Sequence, residues 1–141
     1  MNPKDFPIKD LLPHRNRMLL VERILEANES ISVSSAVVGD HWPLVREGSA
    51  NPIVMVELAA QTAGINNSIN RLKTRGKQDG NMGWIAGVKS AVFHMETLPV
   101  GATLITRTRN SFAFEDFREV TATITLNKTV AAEVTLQLVS A

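Results

Sequence analysis

Polar and apolar positions alternate most cleanly near the end of the chain. Val130, Ala132, Val134, Leu136 and Leu138 form one set, and Glu133, Thr135 and Gln137 form the other. A period of two puts these sets on opposite faces of a β-strand. The same period runs through Ile31, Val33, Ser35 and Val37. Ahead of it, Met18 to Ala27 reads as an apolar strand, with Asn28-Glu29 as the turn. Strand-like stretches also cover about 83–95, 102–113 and 117–127, and the last strand covers about 130–140. Asn127-Lys128 suits a two-residue hairpin, because Asn tolerates positive φ. Phe112, Phe114 and Phe117, around Glu115-Asp116, are expected to be core residues flanking another hairpin turn.

Residues 51–65 break the period of two and read as a helix apolar on nearly every face. Asn51 can cap its free amides, and Pro52 at the first position needs no donor. The helix is expected to run to about Thr74, turn polar after Ile65 and stop near Gly76. Small residues Ala59, Ala60, Ala63 and Gly64 let a neighbouring backbone approach closely. A helix that is hydrophobic all round belongs in the middle of a domain. Lys9 to Leu12 suits a helical turn ended by Pro13, and residues 39–51 suit a loop. No repeat, low-complexity tract or linker divides the chain, so 1–141 is read as a single α+β domain, a sheet wrapped around its helix.

Composition narrows the possibilities. With 44% hydrophobic and 21% charged residues, the 141-residue chain is ordinary for one globular domain. A formal net charge of +1 gives no broad basic field for nucleic acid. Cysteine is absent, which removes disulfides and thiolate chemistry. The histidines, His14, His41 and His94, lie far apart and make no metal-ligand spacing. No phosphate loop or dinucleotide fingerprint is present, so neither metal nor cofactor is expected. The first residues lack a signal-peptide pattern and the helix is too short to span a bilayer, so a soluble cytoplasmic domain is expected.

Glu57 is the residue most at odds with its surroundings. Burial raises a carboxyl pKa unless a cation or donors compensate, and such groups are kept mainly where they act chemically. Its plainer reading is pairing with a Lys or Arg, or a place at a dimer seam. His41 stands sixteen positions earlier in the loop. An imidazole and a carboxyl group brought together make a general base and a general acid. A loop His followed by Trp-Pro also suits a packing role. Gln61 shares a face with Glu57 one turn on, and either orients its carboxyl group or satisfies buried backbone. The amides from Ile53 onward suit a carbonyl oxygen. Gly83 and Gly87 read as relief of crowding, and Arg71, Lys73, Arg75 and Lys77 as a solvated helix end or a dock for an acidic partner.

The stretch Leu11-Leu12-Pro13-His14-Arg15-Asn16-Arg17-Met18-Leu19-Leu20-Val21-Glu22-Arg23 resembles the opening of bacterial 3-hydroxyacyl-acyl-carrier-protein dehydratases. His41-Trp42-Pro43 looks like their His-Phe-Pro, and Glu57-Leu58-Ala59-Ala60-Gln61 matches their central-helix motif. Ala86-Gly87-Val88-Lys89 and Leu98-Pro99-Val100-Gly101 resemble later landmarks. Within that group, the chain looks most like the divergent aryl-polyene-cluster branch. The resemblance implies a hot-dog fold, a dimer with active sites at its interface, and acyl carrier protein as the partner bearing the thioester. It implies that His41 takes the α-proton of a 3-hydroxyacyl thioester, while the partner subunit's Glu57 protonates the departing hydroxyl. Ile53, Val54, Gln61 and Gly87 would contact substrate, and His14 would be structural. Where the family has Pro-Gly before the helix, this chain has Asn51-Pro52, so the Ile53 or Val54 amide would take over at the carbonyl. The segment from His41 to Glu57 is also about two residues longer than usual and contains Arg46-Glu47-Gly48. Two alternatives remain: a non-catalytic subunit that pairs with an active dehydratase, homodimer giving way to heterodimer, and a thioesterase in which Glu57 activates water.

Overall fold

In the computed structural model, which describes Ile8, residues 18–74 and residues 83–140, one helix lies against a six-stranded antiparallel sheet. The strands are β1 (Arg23–Ala27), β2 (Ile31–Val37), β5 (Gly83–Phe93), β7 (Thr103–Phe114), β8 (Phe117–Leu126) and β9 (Thr129–Ser140). Their order is β1-β2-β7-β8-β9-β5. The helix α1 (Val54–Thr74) packs chiefly on β2, β7 and β8. Three two-residue strands, β3 (Val45–Arg46), β4 (Ser49–Ala50) and β6 (Leu98–Pro99), make a second small sheet. This is the expected hot-dog arrangement, a central helix with a sheet around it. The expected turn over Lys9 to Leu12, His14, and the side chains of the basic run from Arg71 to Lys77 lie outside the described residues.

Burial of α1 explains its sequence. Val54, Met55, Leu58, Ala59, Ala63 and Ile65 are all buried. The helix also buries Gln61, Thr62, Asn66 and Ser68. Thr62 Oγ1 lies 2.7 Å from Ser34 Oγ, and Asn66 Nδ2 donates to the carbonyls of Asn28 and Ile31. The face of β2 turned to the helix therefore holds Ser32, Ser34 and Ala36, while Val37 is exposed. The alternation in β2 is present, but its small, hydroxyl-bearing set meets the helix.

Bulges account for two other departures. Between Asn110 and Phe112 the β7–β8 register shifts, so Phe112 pairs with outward-facing Glu119 and Phe114 with Phe117. Phe112 and Phe114 are consequently 54% and 64% exposed, which corrects their expected place in the core. A shift between Ile124 and Thr125 makes Ala131 the extra residue, buries it beside Ala132 and leaves Val130 exposed.

Asn127 and Lys128 form the expected two-residue turn, with φ of 51° and 67°. Positive φ at both central residues is the hairpin geometry that matches strand twist, and it suits Gly at the second position. Lys128→Gly is expected to raise stability by about 0.5–1 kcal/mol, since the folded geometry no longer crowds a Cβ. Thermal unfolding checks this, and an unchanged or lowered midpoint counts against it. A larger effect is expected at Gln61. Its Oε1 accepts from the amides of Leu20 (2.9 Å) and Val21 (3.3 Å), and its Nε2 donates to the Met18 carbonyl (2.5 Å). Gln61→Leu strands those backbone groups and should cost about 2–4 kcal/mol in urea denaturation. A loss below about 1 kcal/mol would mean that the Met18–Val21 segment finds other partners.

Candidate active site

Glu57 sits in the first turn of α1 and is half-buried in the single chain, less enclosed than its apolar helix suggested. Gln61 Nε2 donates to Glu57 Oε1 at 3.1 Å. The direction of this bond is forced. Gln61 Oε1 already accepts from Leu20 and Val21, so the amide group must present its N–H side to Glu57. Gln61 thus fills both roles open to it, joining the N-terminal segment to the helix and orienting a carboxyl group.

His41 lies on the loop after β2 and is exposed. Its neighbour Trp42 is only 2% exposed and anchors the loop in the core. The Trp42 amide donates to the Gly39 carbonyl at 3.1 Å, closing a tight turn with His41 inside it. Gly39 would not be singled out by periodicity; only its place two residues before His41 hints at a role. Arg46-Glu47-Gly48, within the lengthened segment, fall in the β3–β4 hairpin, where Val45 faces Ala50 and Arg46 faces Ser49. Its central residues Glu47 and Gly48 have φ of 53° and 79°, and Leu44 at φ 61° reverses the chain beforehand. The Leu44 carbonyl then accepts from the Asn51 amide at 3.1 Å.

The start of the helix departs from expectation. Asn51 Oδ1 accepts from the Ile53 amide at 3.0 Å, and the Asn51 carbonyl accepts from the Val54 amide at 3.1 Å. Pro52 has no amide hydrogen. The Ile53 and Val54 amides, expected to stand free for a carbonyl oxygen, are therefore already engaged within the cap. The physical cause is Asn51 itself, a strong capping residue whose side chain reaches the second amide. A pocket of about 520 Å³ lies beside this cap, lined by Leu44, Arg46, Asn51 and Glu96 among others, but His41, Glu57 and Gln61 do not line it. Gly87 lies on β5 between two register shifts and pairs with Gln137. A Cβ there would sit 3.1 Å from Gln137 Oε1, which fits relief of crowding. Among the described residues no cluster of His, Asp and Glu could hold a metal ion. No described helix is long and apolar enough to cross a membrane.

Comparison with known proteins agrees with the fold. The ApeP-like family, described as ApeP dehydratase, matches residues 6–141. FabZ of Streptococcus pneumoniae serotype 4, a 3-hydroxyacyl-acyl-carrier-protein dehydratase, is 30% identical over 110 residues, covering 72% of each chain. FabZ of Latilactobacillus sakei is 32% identical over 109 residues, covering 69% of each. Among solved structures, the dehydratase heterocomplex ApeI:P from Xenorhabdus doucetiae superposes with a TM-score of 0.87 at 18% identity, covering 96% of this chain and 91% of that one. With a match over nearly its whole length, the chain belongs to the ApeP-like family of dehydratases.

Proposed function

We propose that this dehydratase removes water from 3-hydroxyacyl thioesters carried on acyl carrier protein, giving trans-2-enoyl thioesters. His41 takes the α-proton as general base. Glu57 of the partner subunit protonates the β-hydroxyl as it leaves. The observation that carries this reading is the fixed carboxamide of Gln61. When Glu57 carries its proton, the N–H that Gln61 donates to Oε1 makes that atom the carbonyl oxygen and places the proton on Oε2. Water activation by Glu57, as in a thioesterase, leaves exposed His41 without a task and is the weaker reading.

A dimer is supported by the edge strand β5. Ile85, Val88 and Phe93 pair with inward-facing Leu138, Leu136 and Ala132, yet are 41%, 48% and 38% exposed. They share the face that the helix covers elsewhere in the sheet. An open strand edge with an uncovered apolar stripe is suited to a second subunit. The Xenorhabdus structure is a heterocomplex, so the occupant is either a second copy of this chain or a related dehydratase, with His41 and Glu57 facing each other across the seam.

The capped helix bears on the carbonyl. Removing an α-proton drives negative charge onto the thioester oxygen, which needs a donor. In this chain that oxygen reaches the Ile53 amide by displacing Asn51 Oδ1. Asn51→Gly is therefore expected to cost only a few tenths of a kcal/mol in stability while raising kcat/KM several-fold. Unfolding curves and steady-state rates read the two effects separately, and an unchanged kcat/KM would remove Ile53 from the site.

The acid–base assignment has its own test. A 3-hydroxyacyl carrier substrate is given to the purified protein, alone and co-expressed with a related dehydratase as partner, and products are weighed by mass spectrometry. His41→Ala and Glu57→Gln should each lower enoyl formation by about 10²–10⁴-fold with unfolding midpoints near the wild-type value. Free acid as the product would indicate a thioesterase. Turnover that needs the partner and survives both substitutions would indicate a non-catalytic subunit.

A further inference from the structure

The base proposed above is held against a glycine. A Cβ built on Gly39 would lie 2.6 Å from His41 Nδ1 and 3.3 Å from Nε2, where ordinary contact begins at about 3.4 Å. The edge of the imidazole carrying both nitrogens thus rests where a side chain at position 39 would be. Conformation does not explain this glycine. Gly48 and Gly101 adopt positive φ, with values of 79° and 94°, but Gly39 does not, so its backbone is open to any residue. Only the space is needed.

The backbone there has no room to retreat. On one side Val38 is fully buried, its amide donating to the Ala102 carbonyl and its carbonyl accepting from the Gly101 amide, both at 2.8 Å. On the other side buried Trp42 holds the Gly39 carbonyl. A methyl group at position 39 must therefore move the ring. His41 is exposed, so the ring can swing outward with little loss of packing.

We infer that Gly39 is a positioning residue, whose missing side chain is the seat that fixes the orientation of the His41 imidazole. The inference rests on His41 acting as the base. It predicts a separation of effects. Displacing a base by an ångström can cost on the order of 100-fold in rate, whereas stability is set by Val38 and Trp42, which do not move.

The test measures Gly39→Ala beside His41→Ala and the double variant, in the assembled enzyme with a 3-hydroxyacyl carrier substrate. Gly39→Ala is expected to lower kcat by at least 10-fold with KM within twofold and the unfolding midpoint unchanged. The imidazole NMR signals of His41 should shift. Should Gly39→Ala lower the midpoint, that loss should vanish in the His41→Ala background, because the ring it strikes is gone. A loss that persists there places the clash on backbone and overturns the inference. So does an unchanged kcat in Gly39→Ala when His41→Ala is inactive. Full activity in His41→Ala instead takes down the base assignment, and the positioning role with it.

Discussion

The carboxamide of Gln61 is the interaction on which the arrangement depends. It is buried in the middle of α1 and makes four hydrogen bonds, three to the backbone of the segment entering β1 and one to Glu57. An amide of this kind left unpaired would cost several kcal/mol, roughly 1–3 on protein scales. Fully paired, it polarises its partners and specifies a single geometry. One side chain therefore settles where the N-terminal segment meets the helix and which oxygen of Glu57 receives a donated N–H.

The same preference for defined polar contacts runs along the helix. Thr62 meets Ser34, and Asn66 binds the backbone of the β1–β2 turn. Across the sheet, Ser34 faces Thr106 and Ser32 faces Thr108, all four buried. Hydroxyl groups bury less apolar surface than Val or Leu, but the Ser34–Thr62 bond ties the helix to the sheet at one rotation. Apolar side chains are left instead on β5, where Ile85, Val88 and Phe93 stay uncovered in the single chain. The helix–sheet contact supplies specificity, and the edge strand keeps an uncovered apolar stripe.

Much of this was legible in the sequence. Asn51-Pro52 marked the helix start, and the chain is helical from Val54 to Thr74. Asn127-Lys128 marked a hairpin because the turn depends on local chemistry alone. The outward Phe112 and Phe114 were not legible, since one bulged residue inverts every later position while leaving the alternation intact. The face of β2 against the helix was misleading for another reason. Ser reads as solvent-facing by pattern, yet Ser32 and Ser34 are buried, and Ser34 meets Thr62 of the helix, which only the fold brings near. The β3–β4 hairpin was hidden because two-residue strands carry no periodicity. At the site, the pairing of Gln61 with Glu57 was legible from their spacing of one turn, but the closed cap at Ile53 was not. Capping propensity and amide availability are opposite uses of the same donors, and sequence gives no rule for which one holds.

Acid–base chemistry by two groups needs their surroundings to differ. In the single chain the difference is already present, with His41 exposed and Glu57 half-buried under a neutral donor. On the proposed assignment, a subunit closing over the site changes the exposed group more than the sheltered one, because Glu57 already has a partner in Gln61. Assembly would then act mainly on the imidazole, lowering its access to water while its seat on Gly39 keeps the ring from turning. On the proposed assignment the acid would be prepared within the chain by a hydrogen bond and the base by shape, with a neighbour closing the space above it.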